Sequence, residues 1–475
     1  MASVLKDDAS LSTAAQRRID NHEADVVIVG AGVLGCALAV ALGKQGRSVI
    51  LLEKSLEEPN RIVGELLQPG GVQALEQLGL RDCLDDIDGI DVKGYWVSYF
   101  GEPVLLEYPK SSPTSPTPLG RAFHHGRFVM KLRAAALSCP NVTVVETKVT
   151  GLIISPDTEE VRGVECMTKD VKDSYLGQLT VAADGYNSDF RKQHHQYTPT
   201  RRSKFYGLEL IDAKLPAPNT GHVLLSDNPP VLMYQIGTHE TRILIDIPDN
   251  FPLASLQNGG VKGYMRNNIL PQLPEGAQKP FADALEQGQL RSMPNSFLPA
   301  AVNKTPGLMI LGDALNMRHP LTGGGMTVAL NDVCLIRELL SPERAPDLSN
   351  TGLVLEQLAE FHWRRKSSSS VINILAQALY ALFAADNQYL RALQRGCFRY
   401  FQVGPVGGPV GLLAGLIKKP LVLVSHFFSV AFLSIWVLLC DTPPLKLILA
   451  PYYAFMILYT ASVVIFPYIW TEIWY

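Results

Sequence analysis

Paired cysteines are missing from this sequence. Its seven cysteines (Cys36, Cys83, Cys139, Cys166, Cys334, Cys397 and Cys440) are odd in number, widely scattered and never in a C-x-x-C pair. That argues against a disulfide framework or a zinc site and leaves reduced thiols as the default. Long runs of Lys and Arg are missing too, and the formal net charge is only −3. With no basic stripe interleaved with aromatics, no nucleic acid partner is expected. There is no internal repeat. The first 25 residues carry acids at Asp7 and Asp8 and no apolar core, so they do not form a secretory signal, and residues 1–24 read as a disordered lead-in.

What the chain has in quantity is apolar surface. It has 475 residues, 47% of them hydrophobic and 18% charged, enough for two or three domains with room to bury a ligand. Residues 420–440 and 447–470 contain no charge, and each run exceeds the roughly 18 apolar residues of a membrane candidate. Ser425, His426 and Ser429 dilute the first run, and Pro451 and Pro467 break the second. Both features favour a hairpin part-way into one leaflet over two spans. Lys418 and Lys419 before the first run, with Trp436, Trp470 and Trp474 near the ends, suit an anchor at the cytoplasmic interface. Residues 351–475 therefore read as a helical region carrying a hydrophobic anchor, with "GPVGGPVG" (404–411) as the hinge into it. Arg364, Arg365 and Lys366 read as a solvated or headgroup-facing helix edge, and Arg201 and Arg202 as surface charge.

The stretch "ADVVIVGAGVLGCALAVALGKQGRSVILLEKS" spells strand, turn, helix and strand within about thirty residues. Gly30, Gly32 and Gly35 form G-x-G-x-x-G between the first strand and the helix. The first glycine permits the turn, the second admits a pyrophosphate to the backbone, and the third lets helix and strand approach. The helix N-terminus then holds the phosphate charge. Glu53 ends the next strand 18 residues beyond Gly35, placed to accept from ribose hydroxyls. The motif alone does not separate FAD from NAD. Since it occurs once, one bound dinucleotide is expected.

Short β-rich runs follow at 142–146, 179–185 and 308–314, and the intervening 92–108 and 205–247 alternate like an antiparallel sheet. The fold expected is α/β (α+β overall): a Rossmann-like nucleotide-binding domain built from 25–90, 120–196 and 296–350, with an inserted antiparallel-sheet substrate domain at 91–119 and 197–295. "VAADG" places Asp184 and Gly185 after one strand, and "LGDA" places Gly312 and Asp313 after another about 130 residues later. In a flavin fold the second acid meets the ribityl chain. Gly323, Gly324 and Gly325 would then let a helix N-terminus approach a flat ring that gathers negative charge on reduction. The adjacent His124 and His125 read as strand residues on opposite faces, without a carboxylate partner, so no metal site is assigned.

In this order the motifs resemble the single-component flavin monooxygenases that include para-hydroxybenzoate hydroxylase. The strings "RIVGELLQPGG" (61–71), "GRAFHHGRFVMKLR" (120–133), "LRSMPNSFLPA" (290–300), "GDALNMRHPLTGGGMTV" (312–328) and "NILAQALYALF" (373–383) resemble the squalene epoxidase family, from about Asp25 to the C-terminus. The resemblance implies FAD as cofactor, gripped by Val33, Leu34, Glu53, Lys54, Arg61, Leu66, Arg133, Val149, Asp313 and Met326, alongside the glycines and Asp184 of the motifs above. It also implies that Tyr95 and Gln68 keep the reactive face in working geometry. Its further implications are squalene and O2 as reactants, 2,3-oxidosqualene as product, and an NADPH–cytochrome P450 reductase as electron donor. The expected place is the endoplasmic reticulum membrane, or a lipid droplet, with the catalytic domain cytoplasmic and membrane lipid contacted through the C-terminal helices. The short segment before Asp25 points to a fungal-type member. Other readings of the same fold are a flavin monooxygenase or reductase of another isoprenoid lipid, and a non-enzymatic prenyl-lipid chaperone of the GDP-dissociation-inhibitor type.

Overall fold

A computed structural model describes residues 13–443 and 448–474. Its first large sheet has a parallel centre. β1 (Glu23–Val29) lies between β2 (Val49–Glu53) and β11 (Val171–Ala182), and β2 pairs with β8 (Val142–Glu146). β17 (Leu308–Ile310) runs parallel to the C-terminal end of β11, while β10 (Val161–Thr168) and β9 (Lys148–Ile154) extend the sheet antiparallel. A second large sheet has the order β16-β12-β15-β14-β13-β5-β6, from β5 (Gly94–Tyr99), β6 (Glu102–Glu107), β12 (Thr200–Ile211), β13 (Gly221–Leu225), β14 (Val231–Gln235), β15 (Glu240–Pro248) and β16 (Arg291–Phe297). Every pairing in it is antiparallel except β13 with β5, which is parallel. A small third sheet holds β3 (Leu66–Leu67), β7 (Gly120–Ala122) and β4 (Ile90–Val92).

Helices cover both sheets. α2 (Val33–Gly43) packs between α4 (His125–Leu137) and α8 (Gly325–Leu339), with α3 (Pro69–Leu78) on the other side of α8. From Leu34 to Gly43 every residue of α2 is buried, which is why it is apolar on all faces. α5 (Arg191–His194) and α6 (Gly260–Tyr264) are short, and α7 (Glu275–Gln287) packs on β12. α1 (Thr13–Asn21) corrects the expected lead-in: Arg17 pairs with Asp25 at 3.0 Å and Arg18 donates to Asn141 O at 3.3 Å, docking the helix on the first sheet. Residues 1–12 lie outside the described residues, as does Leu447.

The C-terminal region is α9 (Thr351–Ala384), α10 (Gln388–Val403), α11 (Gly407–Leu413), α12 (Pro420–Asp441) and α13 (Ala450–Trp474). The expected hinge at 404–411 thus runs into α11, and Pro467 sits inside an unbroken α13. Three of these helices are long and apolar enough to cross a membrane, but they differ in burial. The apolar window of α9 is 78% buried in protein, against 28% for α12 and 17% for α13. α9 is a core helix, and the other two form the hairpin. Each shows one outward apolar stripe, through Leu421, Phe432 and Trp436 on α12 and through Tyr452, Phe455, Tyr459, Val463, Phe466 and Trp470 on α13.

Candidate active site

One cavity of about 230 Å³ is lined from both large sheets. Its first wall is built from turns. β1 is followed by Gly30, whose φ of +104° a side chain would strain and whose absent Cβ would crowd Ala183 O, just past β11. A Cβ on Gly35 would collide with Gly30 O, so the helix can lie against the turn only through glycine. Gly32 is different: a Cβ there meets no protein atom within 4 Å, and the same holds for Gly185 and Gly325. All three line the cavity. The backbone of Gly185, at φ +79°, requires glycine by itself, but at Gly32 and Gly325 neither backbone nor protein neighbour accounts for the missing side chain, whereas a flat or phosphorylated ligand lying along this wall does.

The three consecutive glycines therefore have three separate causes. Gly323 adopts φ +62° at the end of a short 3-10 turn, Gly324 passes where a Cβ would strike Ile372 of α9, and Gly325 opens α8 toward the cavity. Close approach to a ring, the reason expected for all three, fits only the last. Asp313 follows Gly312 (φ +65°) and lines the same wall, as do Val33, Leu34, Arg61, Leu66 and Met326.

A second layer stands behind that wall. Glu53 accepts from Ala31 N at 2.8 Å and lies 3.6 Å from Arg133, which donates to Ala31 O at 3.0 Å and Glu57 O at 2.9 Å. Asp184 accepts from Asp189 N at 3.2 Å, and burial raises its pKa. Its other oxygen is buried without a hydrogen-bond partner. Two of the expected residues lie outside both the cavity wall and this second layer: Lys54 is exposed just past β2, and Val149 pairs with Cys166 in the sheet.

The opposite wall is apolar, with Val223, Leu232 and Leu244 from the second sheet and Leu321 from the turn before Gly323. Its polar groups are closed on one another. Tyr95 and Tyr108 both donate to Gln68 Oε1, at 2.8 and 2.7 Å, and Gln68 Nε2 donates to Thr322 O at 2.8 Å. Gln68 is fully buried, and desolvation raises the pKa of both phenols, keeping them neutral. Tyr95 and Gln68, both named from the sequence, thus contact each other directly, and Tyr108 is a third member that the sequence did not single out. Glu65 was missed as well. It forms a buried two-pronged pair with Arg242 at 2.7 and 2.9 Å, joining the loop after Arg61 to β15. A lone buried charge would be costly, so the pair's worth is geometric: it holds the loop before β3 against the second large sheet beside the cavity.

The histidine pair is not a strand. His124 caps α4 and His125 begins it. His125 bonds Gly64 O through Nδ1 at 2.8 Å, and burial pushes its pKa down to about 4, so a neutral ring donates there. Among the described residues no His, Cys, Asp and Glu group could hold a metal. Arg365, expected at a solvated edge, is 1% exposed and binds Asp332 at 3.0 and 2.8 Å. Only Arg364 is as expected, at the surface with Glu338 and Glu360.

Residues 176–452 match the family model described as squalene epoxidase. The chain is similar to the squalene epoxidase of Aspergillus fumigatus, 69% identical over 98% of this chain and 96% of that one. It is also similar to the squalene monooxygenase of Mus musculus, 44% identical over 95% of this chain and 78% of the other. Among solved structures, a probable FAD-dependent monooxygenase of Pseudomonas aeruginosa superposes with TM-score 0.64 at 20% identity, over 76% of this chain and 97% of its own. A geranylgeranyl bacteriochlorophyll reductase-like protein of Thermoplasma acidophilum gives 0.64 at 20% identity, over 86% and 99%.

Proposed function

The chain belongs to the squalene epoxidase family, and from that premise we propose how its cavity converts a terminal double bond of squalene to (S)-2,3-oxidosqualene in sterol biosynthesis, with FAD as cofactor. The observation that carries the reading is the row of glycines with open space before them, Gly32, Gly185 and Gly325, facing an apolar wall across one cavity. Membership in the family decides against the isoprenoid reductase and the chaperone.

When bound, FAD supplies the oxidising chemistry that puts one atom of O2 on the alkene. The chain's part is to hold, orient and keep dry. The N–H groups at Gly32, Val33 and Leu34 open α2 toward the pyrophosphate, while Glu53, fixed by Ala31 N and Arg133, takes the ribose. Asp313 accepts from the ribityl hydroxyls, and Met326 with the N-terminus of α8 faces the ring. Arg61 and Leu66 close the loop side. Lys54 and Val149 keep the parts the resemblance gave them, outside the cavity wall. Squalene has no polar handle, so Val223, Leu232, Leu244 and Leu321 bind it by apolar burial. Tyr95, Tyr108 and Gln68 spend their hydrogen bonds on each other, which leaves water little to bond to beside the reacting carbon.

Two tests apply. Purified protein should be yellow and, with NADPH, a reductase and squalene, should yield 2,3-oxidosqualene; flavin reduction without that product overturns the substrate. Asp313→Ala should weaken FAD binding at least about tenfold, the worth of one or two hydrogen bonds from a carboxylate, measured by flavin fluorescence on dilution. Undiminished retention would remove Asp313 from the ribityl chain.

The family and the bare apolar stripes together support an association of the hairpin with lipid, which we place in the endoplasmic reticulum membrane with the cavity on the cytoplasmic side and a reductase as electron donor. The hairpin lies along the leaflet rather than across it. Polar groups of the body engage both ends of α12, Lys418 with Asn331 at 2.9 Å and Asp441 with Arg395 at 2.6 Å. At both ends of α13 the same holds, through Tyr389 with Tyr452 and Ser370 with Glu472. A spanning hairpin would carry Arg395 into hydrocarbon, at a cost of about 2.5–3.5 kcal/mol or more. In sealed microsomes, with the exposed native thiol removed by Cys440→Ala, a thiol placed by Asp441→Cys should react with a membrane-impermeant reagent added outside. Reaction only after the vesicles are opened would establish a span.

A further inference from the structure

Arg318 lines the cavity, yet among the described residues no carboxylate bonds it. Its hydrogens go to Asn316 O at 2.8 Å, Asn316 Oδ1 at 2.7 Å and Gly325 O at 3.4 Å, and its Nε is buried without a hydrogen-bond partner. Burial pushes its pKa down to about 10, so it is a cation at neutral pH. Asn316 Oδ1 also accepts from Asn373 Nδ2 at 3.2 Å, and that same Nδ2 donates to Glu472 Oε1 at 2.8 Å. Ser370 Oγ holds the other Glu472 oxygen at 2.9 Å, and the residue is 8% exposed.

The other charges nearby are accounted for. Arg365 also reaches Asn316 Oδ1, at 3.3 Å, but is matched by Asp332 through two hydrogen bonds. Lys366 donates a hydrogen bond to the main-chain oxygen of Glu472 and its charge also acts on that carboxylate, while Asp313 faces the cavity and acts on Arg318 from there. Among the described residues, Arg318 is the buried cation of the cavity wall, Arg61 beside it being exposed, and Glu472 is a buried carboxylate on the last turn of α13, joined to Arg318 by two amides. We propose that Glu472 is a positioning residue that balances Arg318 through Asn373 and Asn316 and thereby sets how readily the cofactor beside Arg318 accepts electrons. The proposal rests on the FAD reading above. In a low-dielectric interior, removing the carboxylate takes away one of the three acids that act on Arg318, with Asp313 and Asp332 remaining, and the added net positive charge favours the reduced, more negative cofactor.

The test is the flavin midpoint potential of the full chain, measured by dye equilibration. Glu472→Gln should shift the two-electron equilibrium toward reduction at least about tenfold, which is about 30 mV, whereas Glu472→Asp, which keeps the charge, should stay near the original value. The double variant Arg318→Met with Glu472→Gln should return most of the shift. An unchanged potential in a loaded Glu472→Gln protein overturns the proposal, as does an equal shift in Glu472→Asp. If Glu472→Gln fails to load FAD, the double variant decides: neutralising both partners should restore loading, because a lone buried charge costs more than an absent pair, and failure to restore it overturns the proposal. Unmodified protein without flavin would instead sink the cofactor reading.

Discussion

Gln68→Ala is expected to give a folded, FAD-loaded protein that makes epoxide at least about a hundredfold more slowly while still consuming NADPH and releasing hydrogen peroxide. The side chain is the common acceptor of two buried phenols and the donor to Thr322 O. Truncation leaves a polar hole, and a hole with several unmatched hydrogen-bonding groups takes in water. Water restores the lost bonds, so the fold survives, but it now sits against the apolar wall where the alkene must lie. A hundredfold loss corresponds to about 2.7 kcal/mol, within the cost of one or two buried hydrogen bonds made by protein alone. Tyr95→Phe should be milder, about tenfold, since Tyr108 still holds Gln68 Oε1. The readout is the ratio of epoxide formed to NADPH consumed. A Gln68→Ala enzyme with that ratio unchanged would show that the network has no part in excluding water.

Gly35→Ala and Gly32→Ala, three residues apart in one motif, should fail in different ways. At Gly35 the new methyl collides with Gly30 O, so α2 must move off the end of β1. Overpacking of this kind costs about 1–3 kcal/mol, and the displaced turn no longer receives a pyrophosphate. Loss of FAD and a lower melting temperature of the flavin-free protein are both expected. At Gly32 the methyl meets only open space, so the flavin-free protein should melt as before while FAD affinity falls at least tenfold by about 1.4 kcal/mol. Measuring both variants without flavin separates the two causes. Equal melting losses would mean that Gly32 is a structural glycine after all.

The contrast between those glycines also shows what kind of information the sequence holds. The βαβ unit, both acid–glycine strand ends and the two helices of the hairpin were legible because each is written within about thirty residues, in periodicity and turn chemistry. Tyr108 was not, because nothing in "VLLEY" marks a phenol that will meet Gln68 forty positions earlier. Glu65 and Arg242 stand 177 positions apart, and no local pattern announces such a pair. Arg365 misled because "RRK" reads as solvated charge, whereas a core helix buries one side of that run against Asp332. His124 and His125 misled for a nearer reason: two residues past a short strand the chain is already capping a helix.

The pairing of β5 with β13 and of β11 with β17 bears on the order in which this molecule is made. β5 ends at Tyr99 but its parallel partner begins at Gly221, and β11, finished by Ala182, takes up β17 only at Leu308. Neither large sheet can close until roughly two thirds of the chain has left the ribosome, which at about 5–20 residues per second takes about 15–60 seconds. The hairpin is translated after that point. The lipid-seeking hairpin therefore joins sheets that can already have closed, and its final turn brings Glu472 to the amides behind a cavity whose lining residues are all made before it.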